Sequence, residues 1–240
     1  MVIGSSRMFA DRRDAGHRLA ARLASWRGTD CVVLGLPCGG IVVADEVAAG
    51  LAAALDVVVA HKLRAPADRE CGIGAVVAAA TPEVALDDSA IATLGVLPDY
   101  VCDEVALQLA EARLREALLR EGRRPVLLAG RIAILVDDGM AAGNTMAAAV
   151  RLVRRARPSR ILVATPVASL DAIARLRPLV DEVVSLHAPQ RFGTIGAFYR
   201  DFPPVSDGEV GALLARARTR KPCCPATTSG GSTRHAGKAS

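Results

Sequence analysis

The sequence predicts an α/β domain built on an open, mostly parallel sheet with helices on both faces. Three observations carry that prediction. Short apolar runs rich in β-branched residues alternate with longer amphipathic segments, the pattern of parallel strands joined by right-handed crossovers. The 240 residues are 51% hydrophobic and 23% charged, a balance that can bury a sizeable core and excludes intrinsic disorder of the body. Aromatics make up only 3%, so the core has to be assembled from Ala, Val and Leu.

Residues 11–26 read as a helix, with Leu19 and Leu23 four apart on one face. Cys31–Gly35 is a buried strand by its β-branched content and its glycine stop, and a second helix follows over 41–55. Residues 56–62 form the next strand. Pro66, Gly72 and Gly74 punctuate the polar segment 64–74, the mark of a mobile loop. Residues 75–79 and Glu83–Leu86 pair as short strands about the Thr81-Pro82 turn. A long helix over 98–122 opens on Pro98, favoured at a first helical position, and carries Val101, Val105 and Leu109 on one face. Ile132–Val136, 160–165 and 181–186 are strands, separated by helices over 147–156 and Leu170–Leu176. Ser206 and Glu209 form a capping box before a last short helix over 210–216. Residues 221–240, rich in Pro, Gly, Ser and Thr, read as disordered. One domain is therefore expected over 1–215, with a basic tail over 216–240.

The formal charge of +5 belongs to that tail. No acidic residue follows Glu209, while Arg216, Arg218, Arg220, Lys221, Arg234 and Lys238 are basic, so residues 1–215 carry 24 basic and 25 acidic groups. Nucleic-acid binding by the body is not expected, and no aromatic residues interleave with basic ones as on a base-stacking surface. Asp45, Glu46 and Asp56 interrupt the most apolar stretch, 41–60, which excludes a membrane span there. Arg7, Asp11, Arg12 and Arg13 fall where a signal peptide needs its apolar region, so a cytoplasmic protein is expected. The six cysteines include no C-x-x-C pair, which argues against a zinc site or a disulfide framework, and Cys31 and Cys102 read as small buried hydrophobes. A G-x-S-x-G hydrolase elbow is absent.

The chemistry concentrates in residues 134–145, I-L-V-D-D-G-M-A-A-G-N-T, between a strand and a helix. Ligands of open parallel sheets bind beyond the carboxyl ends of strands. Gly139 and Gly143 let the backbone turn tightly, and Ala141 and Ala142 add no bulk, so successive N–H groups can converge on an anion at a helix N-terminus. Asn144 stands where a Walker A loop needs lysine before Thr145. Asp137 and Asp138 would repel a phosphate if aimed at it, so they hold hydroxyl groups or a hydrated divalent cation beside it, or else only cap the turn. A ligand with both a phosphate and vicinal hydroxyls is a sugar phosphate.

This segment resembles the phosphoribosyl-pyrophosphate (PRPP) motif of the type I phosphoribosyltransferases. Leu34-Gly-Leu-Pro-Cys-Gly-Gly40 resembles the pyrophosphate-side loop of a bacterial branch whose usual form is L-G-L-P-R-G-G. His61-Lys-Leu63 with Gly72-Ile-Gly-Ala-Val76, and Phe192 with the segments 196–202 and 205–210, resemble further blocks of that branch. The resemblance spans about residues 9–215 and implies a small hood over the sheet. It implies an enzyme that binds PRPP with Mg²⁺ and displaces pyrophosphate from ribose C1 by a nitrogen nucleophile, usually a nucleobase. Asp137 and Asp138 would then contact the ribose hydroxyls and Mg²⁺. Gly139 and the backbone of Ala141, Ala142, Gly143, Asn144 and Thr145 would hold the 5-phosphate. Pro37, Cys38, Gly39, Gly40 and Lys62 would line the pyrophosphate, with Asp138 and Lys62 as catalytic candidates. Residues 64–72 would close over the site and exclude water.

Three departures bear on activity. Cys38 and His61 each stand where the branch usually has arginine, and Ala142 stands where it has threonine. Losing two arginine contacts removes about 1.5–3 kcal/mol of leaving-group stabilisation each, partly offset by Lys62, Arg64 and Arg69. A PRPP-binding regulatory module without turnover is the alternative these residues favour; a phosphatase acting on the same phosphate is a third reading. Ala141 replaces the aspartate that 6-oxopurine enzymes use toward the purine, which disfavours hypoxanthine or guanine as acceptor. The sequence leaves the acceptor and pathway open and admits a homodimer.

Overall fold

The computed structural model describes residues 8–66 and 71–220. In chain order the elements are α1 (Arg12–Arg22), β1 (Cys31–Gly35), α2 (Gly39–Leu51), β2 (Ala54–Val57), β3 (Ala60–Arg64), β4 (Gly72–Val77), β5 (Glu83–Leu86), α3 (Asp88–Leu94), α4 (Pro98–Arg120), β6 (Ile132–Val136), α5 (Asn144–Arg155), β7 (Arg160–Val167), α6 (Leu170–Leu176), β8 (Glu182–His187) and α7 (Asp207–Thr219). Five strands form a parallel sheet in the order β2-β1-β6-β7-β8. Side chains alternate across it, so the near-continuous Val, Ile and Leu runs supply both faces. Val33, Ile134 and Leu162 pack with α1, α2 and α7, while Val32, Leu135 and Val163 pack with α5 and α6. The predicted doubly covered α/β sheet is therefore the observed fold.

A second, antiparallel sheet of β3, β4 and β5 forms the hood. Its outer face packs Leu63, Ile73 and Val76 against Val101, Val105 and Leu109 of α4, the face read from the sequence. The single strand expected over 56–62 is two strands in different sheets. Val58 N–H still bonds to Gly35 C=O of the main sheet, whereas Val59 C=O already accepts from Ala78 N–H of the hood. Tertiary pairing breaks this β-branched run, not any local residue preference.

Other boundaries also move. The second helix stops at Leu51, where Ala52 adopts a left-handed conformation, so Ala54 and Leu55 belong to β2. The loop expected over 64–74 contracts, because β3 runs through Arg64 and β4 starts at Gly72; residues 67–70, within that expected loop, lie outside the described residues. The helix α3 was not expected, for none of its residues is buried and it leaves no apolar period; the Asp87 side chain caps it. Cys31 is buried as expected, but Cys102 is exposed on α4.

The last helix carries the predicted capping box and continues past 216 to Thr219. The tail expected from 216 thus begins as ordered helix, because Arg216 and Arg220 both pair with the fully buried Asp45 of α2. Residues 221–240 lie outside the described residues. Among the described residues, no helix is long and apolar enough to cross a membrane.

Candidate functional site

Strands β1 and β6 are neighbours, with Gly35 opposite Val136, and the chain continues from them to opposite edges of the sheet. That divergence opens a crevice beyond their carboxyl ends, where doubly wound sheets bind ligands. Residues 37–40 leave β1 there, and residues 137–143 leave β6 for the start of α5. A cavity of about 390 Å³ lies on the β6 side of this crevice, beside the hood. Asp137, Gly139, Ala141, Ala142, Gly143, Asn144 and Thr145 line it together with Lys62, Gly72, Met140, Met146 and Ile195. Asp138, Pro37, Cys38, Gly39 and Gly40 do not reach its wall. A roomier cavity of about 780 Å³ between α4 and α5 contains none of the predicted site residues.

The loop before α5 is held from outside the cavity. Met140 N–H bonds to Val167 C=O, and the Ser169 hydroxyl donates to Ala141 C=O. Gly143 has φ of 76°, a left-handed conformation that glycine adopts without strain, and it turns the chain into α5. The first amides of a helix have no intrahelical acceptor, so the start of α5 brings N–H groups and a positive dipole end to the cavity. Asn144 turns its side-chain amide to Asp87, 3.3 Å away, which docks the loop against the start of α3.

The two carboxylates differ. Asp137 faces the cavity, and its Oδ1 accepts from the Asp138 N–H at 2.9 Å. Asp138 is buried and accepts from Arg12 Nε at 2.7 Å. Arg12 opens α1, donates through Nη1 to Pro203 C=O at 2.7 Å, and lies 3.6 Å over the Phe202 ring. The Tyr199 hydroxyl donates to Asp138 C=O at 2.5 Å. Gly39 is glycine for a steric reason: a Cβ there would lie 1.8 Å from Asp138 Oδ2 and 2.6 Å from Arg12 Nε. The loop after β1 therefore packs directly on this ion pair and supports the cavity from behind.

Burial pushes the Asp137 carboxyl well above the ordinary range, and the adjacent Asp138 charge pushes it further. Burial also raises Asp138, although the Arg12 hydrogen bond opposes it. The upward push is the stronger at Asp137, because Arg12 is bonded to Asp138.

His61 does not supply a replacement cation. Its Nδ1 lies 3.3 Å from Gln108 Oε1 and 3.8 Å from Glu111 Oε2 on α4, and burial lowers its pKa, which disfavours the charged form. Cys38 caps the start of α2 and its Sγ touches the Arg115 guanidinium of α4, which Asp207 of α7 also holds. Phe192 and Phe198 pack against each other, with ring centroids 5.5 Å apart, and Phe198 also meets His187.

Arg12, Tyr199, Ile195 and Arg115 escape sequence reading. Arg12 follows Asp11 at the head of a predicted helix, an ordinary place for a solvated arginine, and its partner lies 126 residues away. For Tyr199 the available signal is the 196–202 segment, whose resemblance marks it without giving each side chain a role, and Ile195 falls just before it.

A doubly wound sheet with a small-residue loop at its switch point, an acidic pair on one side and a hood lysine on the other defines the class of this α/β domain. The model of the phosphoribosyl transferase domain matches residues 12–197, and the chain belongs to the type I phosphoribosyltransferase family. Proteins of Mycobacterium tuberculosis strains H37Rv and CDC 1551, both provisionally named phosphoribosyl transferases, are 42% identical over 217 residues. That match covers 88% of this chain but 47% of theirs, so the chain spans about half the length of these curated relatives. A crystal structure of a Thermus thermophilus protein is 42% identical with a TM-score of 0.72, covering 87% of this chain and 98% of that one.

Proposed function

We propose that the chain transfers the 5-phosphoribosyl group of PRPP to a nitrogen nucleophile, a nucleobase, and releases pyrophosphate. The observation that carries this reading is the one cavity shared by Asp137, the small-residue loop before α5 and Lys62. Amides of Ala141 to Thr145, and the Thr145 hydroxyl, hold the 5-phosphate in this reading. Asp137 recognises ribose hydroxyls, its carboxylate oxygens accepting hydrogen bonds from them. Asp138 acts through its ion pair, fixing the loop that carries Asp137, and so serves as a positioning residue. Lys62 stands across the cavity on the pyrophosphate side. The hood and Ile195 exclude water from the developing oxocarbenium centre. Positioning and electrostatics then supply the catalysis, with no side-chain nucleophile.

Among the described residues, no three His, Cys, Asp or Glu side chains gather where they can hold a metal ion, and Asp138 is engaged by Arg12. The donor set fits Mg²⁺ in one way: with Asp137 as protein ligand and substrate oxygens and water completing the shell, as this ion is commonly bound. When bound, Mg²⁺ would neutralise charge on the departing pyrophosphate.

His61 and Cys38, which stand where the resembling branch has arginine, favour a second reading, a regulatory module that binds PRPP without turnover. Pyrophosphate release from PRPP and Mg²⁺ over a panel of purine and pyrimidine bases separates the two. Release that depends on one base class supports the transferase, and binding with no release for any base supports the module.

A further inference from the structure

We propose that Arg115 is the pyrophosphate-binding arginine of this chain, delivered to the β1 loop from α4 because position 38 is a cysteine. The proposal deepens the phosphoribosyltransferase reading and rests on it. Three features place Arg115 at this loop. Its Nη2 contacts Cys38 Sγ, so the guanidinium occupies the space beside the small side chain. Cys38 also caps α2, whose N-terminal dipole favours an anion at the same point. The next two residues touch the acidic pair: Cβ atoms at Gly39 and Gly40 would lie 1.8 Å from Asp138 Oδ2 and 2.7 Å from Asp137 Oδ1. The loop that Arg115 meets therefore runs directly into the base of the cavity.

The state of the guanidinium fits a ligand-exchange role. Asp207 Oδ1 accepts from both Nε, at 2.8 Å, and Nη2, at 2.5 Å, and no described residue accepts from Nη1. Asp207 lies in the first turn of α7 with its side chain 35% exposed, so its hold on Arg115 is open to solvent and to competition. A diphosphate offers several anionic oxygens to the same fork and outcompetes one carboxylate oxygen. An arginine at 38 would press against Arg115, a like-charge contact; cysteine removes that conflict. One guanidinium serves this loop, and it comes from a different element.

The test is calorimetric titration of Mg²⁺-pyrophosphate, and separately of ribose 5-phosphate, into the full chain and its variants, with thermal unfolding of each variant as a check on folding. Arg115→Ala is expected to weaken pyrophosphate by roughly 10- to 100-fold, the range of a lost charge-assisted contact, and to leave ribose 5-phosphate affinity unchanged. Asp207→Asn, which frees Arg115, is expected to tighten pyrophosphate several-fold, an effect that a purely structural α4–α7 tie would not give. Cys38→Arg in the Arg115→Ala background is expected to recover most of the lost affinity. Wild-type pyrophosphate affinity in Arg115→Ala, or unchanged or weaker affinity in Asp207→Asn, overturns the proposal. If the wild type binds ribose 5-phosphate but no pyrophosphate, the Arg115 assignment falls and the sugar-phosphate site stands. If it binds neither, both fall.

Discussion

Replacing Arg12 by methionine tests the support of the site most severely. The substitution keeps the length and apolar stem of the side chain but removes the only cation hydrogen-bonded to Asp138 among the described residues. The side chains of Arg12 and Asp138 are 9% and 12% exposed, so little water can replace the lost partner. Breaking a buried pair costs about 3–5 kcal/mol, and loss of the stacking on Phe202 adds about 0.5–2 kcal/mol. At about 2–4 °C per kcal/mol for a chain of this size, Tm should fall by roughly 7–28 °C near pH 8. Without Arg12 the Asp138 pKa rises further, so its contribution to stability is full below the ordinary carboxylate pKa and is lost as pH climbs through the raised folded value. The deficit relative to wild type should therefore shrink toward about pH 4, where Asp138 is protonated. Circular dichroism melts at both pH values measure this. A Tm within about 2 °C of wild type at both, or a deficit that does not change with pH, would refute the account of the pair.

Gly39→Ala should destabilise the fold by about 1–3 kcal/mol and abolish ribose 5-phosphate binding, because the new methyl group collides with the Arg12–Asp138 pair. Gly211→Ala in α7, where a Cβ meets nothing within 4 Å, should instead stabilise by about 0.5–1 kcal/mol in the same denaturation assay. Asp137→Asn should raise Tm by a few degrees near pH 8 and not near pH 4. The folded state holds the Asp137 proton more tightly than the unfolded chain, so stability is lost as pH rises through the raised pKa, and asparagine escapes that loss. The same variant should lose affinity for ribose 5-phosphate, measured by calorimetry. Truncation after Arg220 should leave Tm and ligand binding unchanged. Truncation after Ala215 should cost about 1–3 kcal/mol, because it strips both arginines from the buried Asp45, a cost moderated by the solvent access of those arginines.

What the sequence made legible follows from where the information lies. Cys31–Gly35 and Ile132–Val136 are buried apolar runs with a glycine or an acidic pair at the end, and they emerge as adjacent central strands. The loop before α5 was legible as a tight turn of small residues, and the structure gives two of its glycines local reasons: Gly143 is left-handed, and a Cβ at Gly139 would lie 2.5 Å from Ile195. The break between β2 and β3 was not legible, since Val57, Val58 and Val59 are equally suited to one strand, and hydrogen bonds to Gly35 and from Ala78 divide them. The asymmetry of the acidic pair was also hidden: Asp137 and Asp138 are neighbours of the same type, and only the distant Arg12 distinguishes them. Cys38 looked like a simple loss of charge for the same reason, because Arg115 meets it across 77 residues of chain.

The crevice between β1 and β6 is proposed above as a PRPP site built on the acidic pair and the loop before α5. Calorimetric titration of PRPP with Mg²⁺ into the wild type and into Asp137→Ala/Asp138→Ala tests it most directly. The wild type should bind with saturable heat, and the folded double variant should lose at least about tenfold in affinity, as for one lost charge-assisted contact. No binding by the wild type at millimolar ligand, or equal affinity in the double variant, would contradict the claim.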